Sequence, residues 1–402
     1  MAPDELSVIV VSWGRPDALR RCLLSLSQQC RSGCEVIVVA DPAGLASARS
    51  LPFADRLKLV DQDGPNVSRA RNAGLSQAAG QVVAFIDDDA IAEPTWVAAI
   101  CAAFDNPGIA ALTGPVLGRN GTSLQWGPLA VNACAQDTPM EADGRVPDGY
   151  VRKLQGTNMA FRRAVFEDLG GFDEGFAFYL DDTDIALRLG RAGLQSMWVP
   201  NAVVHHSFAA SARRTGQRVP LSLEDIGAST ALFLRKHAPV EDHARVIRDL
   251  EAAQSTRLLQ LARTRKLNDS AMRGLMESLR DGLAAGAASE NFTPPVKEAL
   301  CGFLRLVSGD PPGHRVLSGW SIKASGLRKR AADLVADGFG VTLLLFDLTP
   351  RKHKVFYTDT GWWEQMGGLY GAANRDGPRL RFSTFKSRRC EEIRRISDIR
   401  GL

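Results

Sequence analysis

Gln81-Val-Val-Ala-Phe-Ile-Asp-Asp-Asp-Ala90 (QVVAFIDDDA) is the stretch on which the reading of this chain turns. Residues Gln81 to Ile86 form a short, nearly continuous apolar run, the pattern of a strand buried on both faces in a parallel sheet. The run ends abruptly in Asp87, Asp88 and Asp89. In an open parallel sheet, ligands bind beyond the carboxyl ends of the strands, and these carboxylates emerge there. Three adjacent acids repel one another unless a cation is present. Hard oxygen donors suit Mg²⁺ or Mn²⁺, and an ion held by one or two carboxylates commonly bridges substrate phosphates. The plainer reading of the same residues is a solvated turn that caps the helix opening at Pro94.

Outward from this run the pattern repeats. Ser7 to Ser12 (SVIVVS) and Glu35 to Ala40 (EVIVVA) are further buried strands, and Leu57 to Val60 is a shorter candidate. Between them Pro16 opens a helix whose Leu19, Cys22, Leu23 and Leu26 share one face, and a second helix spans Val67 to Ala79. Downstream, the helix after Pro94 turns Val97, Ile100, Cys101 and Phe104 inward, and Ala110 to Val116 and Leu154 to Phe161 read as strands. Arg163 to Leu169 is a short helix closed by Gly170, and Asp182 begins a helix that stops at Gly193. Strands alternating with helices predict an α/β domain with a mostly parallel sheet.

The segment from Asn120 to Tyr150, rich in Gly, Asp and Pro, reads as a long loop or lid. The α/β part ends near Ser211, and the expected division is residues 1–220, a helical region over 221–310, and a small α+β region of unknown role over 311–402. Helical stretches run over Ala228 to Lys236, Asp242 to Lys266 and Asp269 to Ala284, while Gly340 to Leu348 and Lys354 to Thr358 read as a late strand pair.

Composition narrows the class. With 402 residues, 45% hydrophobic and 23% charged, the chain is a folded globular protein of two or three units. A net charge of +4 is small for this length and does not suggest a nucleic-acid partner. No apolar run approaches the roughly 20 residues needed to cross a bilayer, and the N-terminus lacks a signal-peptide layout. The 7 cysteines are scattered, with no disulfide framework and no second pair to complete a zinc site with Cys30 and Cys34. These features point to the cytoplasm and leave peripheral contact with the cytoplasmic face of a membrane open, as they do homo-oligomerisation.

Two more constellations carry chemistry. Asp181, Asp182 and Asp184 lie in YLDDTDIALRL. Helix capping and the helix dipole explain one or two of them. A carboxylate fixed at a helix start and aimed at a hydroxyl is also what a general base requires. Arg188 lies one turn beyond Asp184 and can pair with it at i,i+4, leaving Asp182 free. His205 and His206 follow Ala202 to Val204, and neutral imidazole ligates Mn²⁺ well, with the Ser- and Ala-rich stretch beyond able to close over such a site. The plain alternative is two polar residues at a strand end.

Taken in order, these elements resemble the family 2 glycosyltransferases of the glycosyltransferase A fold over roughly residues 6 to 235. SVIVVSWGRPDALRRCLLSL resembles that family's opening strand and helix, with Ser12, Trp13, Gly14 and Arg15 where Thr-Tyr-Asn-Arg is usual. EVIVVADPA resembles its nucleotide-contacting Asp-Asp-Gly-Ser turn, with Ala40 replacing the first acid and Asp41 retained. NVSRARNAGL resembles the nucleotide-side stretch and gives Arg71 and Asn72. IDDDAIAEPTWV resembles the metal-binding Asp-X-Asp motif, with Asp87 and Asp89 as its ends. GTNMAFRRAVFEDLGGFDEGF resembles the acceptor-side strand and helix. LDDTDIALRL resembles the segment that supplies the base, with Asp181 in place of Glu. VPNAVVHHS resembles the segment whose His completes the metal site in some members, and counting from Pro200 favours His206 over His205.

The resemblance implies a glycosyltransferase A fold, α/β with a mostly parallel central sheet, followed by a mainly helical C-terminal region. It implies inverting, metal-dependent transfer of a sugar from a nucleoside diphosphate sugar to a glycan or lipid-linked hydroxyl. Ser12, Arg15, Asp41, Arg71, Asn72, Asp87 and Asp88 are then expected at the nucleotide sugar. Asp87, Asp89 and His206 are expected to hold Mn²⁺ or Mg²⁺, Asp182 with Asp181 to carry catalysis, and Gly156, Asn158 and Asp184 to meet the acceptor. Ala40 leaves the base open, with UDP and dTDP favoured over GDP.

A non-catalytic nucleotide-sugar-binding or scaffolding protein on the same fold would predict a broken acid set, and this one is intact. A nucleotidyltransferase would show a Gly-rich basic phosphate loop near the first strand, which SWGRPD does not supply. At the C-terminus, Arg379, Arg381, Lys386, Arg388, Arg389, Arg394, Arg395 and Arg400 form a basic tail suited to anionic lipid or acidic glycan. Trp362, Trp363 and Tyr370 are either sugar-stacking or core.

Overall fold

The structure, a computed structural model, describes residues 5–402 apart from 32, 142–143, 208–212, 216, 218, 291, 297–300, 307–311, 375–377 and 379. The expected boundary at Ser211, the Ser- and Ala-rich stretch beside it and Arg379 thus lie outside the described residues. Seven strands build the central sheet in the spatial order Gln195–Trp198, Ile109–Thr113, Asn158–Arg162, Val82–Asp87, Leu6–Ser12, Cys34–Ala40, Leu57–Asp61. Asn158–Arg162 runs antiparallel to both of its neighbours, and the other pairings are parallel.

The β-branched runs are buried on both faces because successive side chains point to opposite sides. Val8, Val10, Val36 and Val38 pack against the helices Pro16–Ser27 and Trp96–Ala103. Ile9, Ile37, Phe85 and Phe161 face the helices Val67–Leu75 and Asp181–Arg191. Ser12 pairs in register with Ala40, and Val11 with Asp87, so the acid turn and the first loop open at the same sheet edge.

The segment expected as a long loop is instead partly pleated. Leu129–Asn132 lies between Asp137–Pro139 and Tyr150–Arg152 in a three-stranded antiparallel sheet. Leu124–Trp126 joins a second small sheet in the order Ala90–Ala92, Val204–His206, Val116–Leu117, Leu124–Trp126. Strands of two to four residues are too short for an alternation pattern to stand out.

Beyond the α/β part, helices Glu224–His237, Val240–Arg263 and Asp269–Ala288 follow. The first and third cross backbone against backbone: a Cβ on Gly282 would lie 2.0 Å from the Glu224 carbonyl oxygen, and one on Gly286 2.1 Å from that of Ala228. The last unit is a four-stranded sheet in the order His314–Trp320, Gly340–Asp347, Trp363–Gly368, Lys354–Tyr357, with helix Ala324–Ala336 linking the first two parallel strands. The expected late strands both exist but do not pair, because Trp363–Gly368 separates them. Its sequence, WEQMGG, carries two glycines and two polar residues where a strand pattern calls for β-branched ones.

Of the basic tail, Lys386, Arg388, Arg389, Arg394, Arg395 and Arg400 lie on helix Phe385–Arg400, in which Glu392 takes ion pairs from Arg388 and Arg395 and Arg400 is buried on Glu93, while Lys386 and Arg394 are exposed. Trp362 and Trp363 are core residues. Among the described residues no helix is long and apolar enough to cross a membrane.

Candidate active site

Strand Val82–Asp87 carries Asp87 to the sheet edge, and the turn after it folds Asp88 and Asp89 back into the protein. Asp88 accepts a 2.7 Å hydrogen bond from the Ser12 hydroxyl and lies 2.5 Å from Arg15, which also reaches Asp89 at 3.3 Å. Burial pushes the Asp88 carboxyl up to about 7 even though Arg15 opposes the shift. Asp88 therefore anchors the first loop and does not face outward as a nucleotide contact.

The register of strand Val204–His206 against Ala90–Ala92 sets His206 opposite Ala90, next to the acids. His206 Nε2 lies 3.2 Å from Asp89 Oδ1. Its other face is organised by the segment expected as a lid: Trp126 stacks on the imidazole with ring centroids 5.5 Å apart, and Gln125 Oε1 meets Nδ1 at 3.2 Å. An acceptor at Nδ1 places the proton there and turns the Nε2 lone pair towards Asp89. Asp87, Asp89 and His206 each offer a donor atom within 4.8 Å of the others. Two carboxylates and one imidazole, with donor atoms this close together, suit Mn²⁺ or Mg²⁺, so the residues fit such an ion.

Asp181 and Asp182 enter from the opposite side. Helix Asp181–Arg191 follows Tyr179 and Leu180, whose φ of 77° and 66° are left-handed and unfavourable for such side chains, a strain that the surrounding structure sustains. Asp181 is held in an ion pair by the buried Arg71, which also donates to the Gly156 carbonyl at 3.3 Å and lies 3.9 Å from Asp87. Asp182 Oδ2 accepts from the Gly156 N–H at 2.8 Å. The next residue, Thr157, donates its hydroxyl to Asp87. One dipeptide thus ties Asp182 to the acid cluster. A Cβ on Gly156 would lie 2.8 Å from Arg71 Nη2 and 3.3 Å from Asp182 Oδ2, so a side chain there would displace the Arg71 guanidinium.

Asp184, Asn158, Asn72 and Asp41, all expected at the ligands, bond to the framework. Asp184 sits two positions past Asp182, about 200° around the helix. It is fully buried, with Arg188 at 2.9 Å and Lys236 and His237 at 2.8 Å. Burial alone would raise its carboxyl, but these partners hold it at about 2. Asn158 points away from the Thr157 side of its strand, accepting from Trp96 Nε1 at 2.9 Å and donating to the Ala202 carbonyl at 2.8 Å. Asn72 exchanges hydrogen bonds with the Phe172 backbone at 2.9 and 2.8 Å. Asp41 lies at the shared sheet edge but accepts from Gly44 N–H at 3.2 Å, capping helix Pro42–Arg49.

A sequence profile described as glycosyltransferase like family 2 matches residues 3–219, more than half of the chain. The chain belongs to this family. The O-antigen biosynthesis protein RfbC of Myxococcus xanthus is 28% identical over 240 residues, covering 54% of this chain and 18% of that protein. The N-acetylglucosaminyl-diphospho-decaprenol L-rhamnosyltransferase of Mycobacterium tuberculosis is 41% identical over 81 residues, 20% of this chain and 25% of the relative. The succinoglycan biosynthesis protein ExoM of Rhizobium meliloti is 28% identical over 214 residues, 50% of this chain and 66% of its own length. The chain thus spans less than two thirds of each of these relatives. Among solved structures, the mannosyltransferase PcManGT from Pyrobaculum calidifontis, in complex with GDP-Man and Mn²⁺, superposes with a TM-score of 0.43 at 16% identity, over 72% of this chain and 88% of that one.

Around the acids of this family 2 chain lie residues that the expected site set did not name. Thr157, Gln125 and Trp126 have been described, and Arg214 lies 3.7 Å from Asp89. Glu93 is fully buried beneath the turn and binds the Arg400 guanidinium through contacts of 2.8 and 2.9 Å. It also takes His205 Nε2 at 2.8 Å, so the two adjacent histidines face different carboxylates. Burial would raise Glu93, yet Arg400 and His205 hold it at about 2. The aromatic Trp126 in a Gly-rich stretch was a usable signal; nothing near residue 93 points to residue 400.

Proposed function

We propose that this family 2 chain is a metal-dependent, inverting glycosyltransferase that moves a sugar from a nucleoside diphosphate to a hydroxyl of a glycan or lipid-linked acceptor. The observation that carries this reading is the Gly156-Thr157 bridge, which fastens Asp182 on one side and the Asp87, Asp89 and His206 cluster on the other. Asp87, Asp89 and His206 are the residues for Mn²⁺ or Mg²⁺, which when bound neutralises a diphosphate leaving group. Arg15 and Arg214, both within ion-pair distance of Asp89, would meet the phosphate oxygens in this reading.

Asp182 takes the proton of the acceptor hydroxyl as its oxygen forms a bond to the anomeric carbon. The bond from that carbon to the phosphate oxygen breaks with its electron pair leaving on the diphosphate, so the configuration inverts. Arg71 holds Asp181 in place beside the base. Residues 1–220 form the catalytic unit in this reading, which works in the cytoplasm with donors of the UDP or dTDP type favoured, and peripheral contact with the membrane's inner face would bring it to lipid-linked acceptors.

The test is nucleoside diphosphate release from UDP-, dTDP- and GDP-sugars with Mn²⁺ or with EDTA, for wild type and Asp182→Asn. Release that needs metal, selects one donor and disappears in the variant supports the transferase. Thermal stabilisation by nucleotides with no turnover, plausible acceptors being present, would favour a nucleotide-sugar-binding protein instead.

A further inference from the structure

A cavity of about 780 Å³ opens where the α/β part, the helical region and the C-terminal sheet meet. One wall is the loop from Gly118 to Gln125, another is Lys266 beyond helix Val240–Arg263, and a third comes from Lys352, His353, Ala372 and Asn374. The loop is fixed to the C-terminal sheet. Val355 N–H donates to the Asn120 carbonyl at 2.9 Å, and Gly121, at φ +66°, comes so close that a Cβ would lie 2.2 Å from the Val355 carbonyl oxygen. The cavity is therefore a joint product of units far apart in the sequence.

Its chemistry is one-sided. Arg119, Lys266 and Lys352 line it, and no carboxylate does among the described residues. Asn120, Ser123, Gln125 and Asn374 add amides and a hydroxyl, and about half of the wall is apolar, as the carbon faces of sugar rings require. A volume of this size takes a ligand of a few sugar rings, and the combination of amides, hydroxyl and unopposed cations selects one that is both hydroxyl-rich and negatively charged. The cavity also adjoins the acid cluster. Gln125 lines it while meeting His206 Nδ1, and Arg119 donates to the carbonyl of Ser207, the residue after His206, at 3.4 Å.

We propose that this cleft binds an anionic saccharide, the acidic stretch of the acceptor glycan; its role as acceptor rests on the transferase reading above. The full chain is titrated calorimetrically with a galacturonic acid hexamer and with a neutral glucose hexamer, at low and high salt. The acidic hexamer is expected to bind, with affinity that falls as salt rises. The Lys266→Ala, Lys352→Ala double variant weakens binding about tenfold, since two exposed charge contacts are lost, and the corresponding double Arg variant retains it. Both lysines are exposed, so the thermal midpoint of either variant stays at the wild-type value. Equal binding of the two hexamers, unchanged affinity in the double Ala variant, or binding only to vesicles of phosphatidylglycerol would each overturn the proposal. Metal-dependent donor hydrolysis on the same samples scores the transferase separately: hexamer binding without donor turnover keeps the cleft as a saccharide site and removes its role as acceptor.

Discussion

Asp182 and Asp184 illustrate how far a single residue's neighbourhood decides its role. Both are acids of one helical turn, yet one accepts a backbone N–H at the site and the other is enclosed by Arg188, Lys236 and His237. Asp182→Asn is expected to lower turnover about 10²- to 10⁴-fold, the usual span for a general base, while nucleotide binding measured by calorimetry persists. Gln125→Leu removes the acceptor at His206 Nδ1 and should weaken Mn²⁺ binding about tenfold, read from the paramagnetic signal of the free ion. The candidate site was legible as an ordered set of acids and histidines, because these residues sit where a buried strand or helix starts or stops. The side to which each residue points was not. Motif spacing puts Asn158 and Asp184 near the ligands along the chain, but the strand alternation and the 100° helical step turn them inward.

At the scale of elements, the parallel strands were readable because burial on both faces demands an unbroken β-branched run, as in Val8 to Val10 and Val36 to Val39. Leu129–Asn132 and Trp363–Gly368 were not, since brief strands hold to their neighbours through pairing and side-chain partners that lie elsewhere. Glu364, buried in Trp363–Gly368, is matched by Arg328 at 2.6 Å. The crossing of helices Glu224–His237 and Asp269–Ala288 depends on small residues. Gly282→Ala would drive a methyl into the Glu224 carbonyl. The expected cost is about 1–3 kcal/mol, the usual range for overpacking, measured by denaturant unfolding; an unchanged midpoint would mean that the helices can move apart freely.

Across the whole molecule a polar chain, buried at its Arg400 and Glu93 end, joins the first and last units. His314 Nε2 meets the Thr342 hydroxyl at 2.8 Å, Arg400 reaches the same oxygen at 2.9 Å, and Arg400 in turn holds Glu93. Burial, with the charge of Arg400 adding to it, brings the His314 pKa down to about 3, against 6.5 for a free imidazole. The unfolded chain binds the proton below pH 6.5 and the folded chain does not, so stability declines as pH drops from 6.5 towards 3. By pH 5 the loss reaches about 2 kcal/mol. Thermal unfolding followed from pH 7 to 5 should show this decline, and His314→Gln, which keeps a partner for Thr342 without titrating, should flatten it.

Glu93 and Arg400 are separated by 307 residues. At a synthesis rate of roughly 5–20 residues per second, Arg400 is made about 15–60 s after Glu93. Throughout that interval the turn below the three acids has a carboxylate without its guanidinium, in a place that the finished protein keeps dry. Until helix Phe385–Arg400 is made, the turn below the acids lacks that ion pair. A growing chain therefore carries the motifs of its family well before Glu93 has its guanidinium.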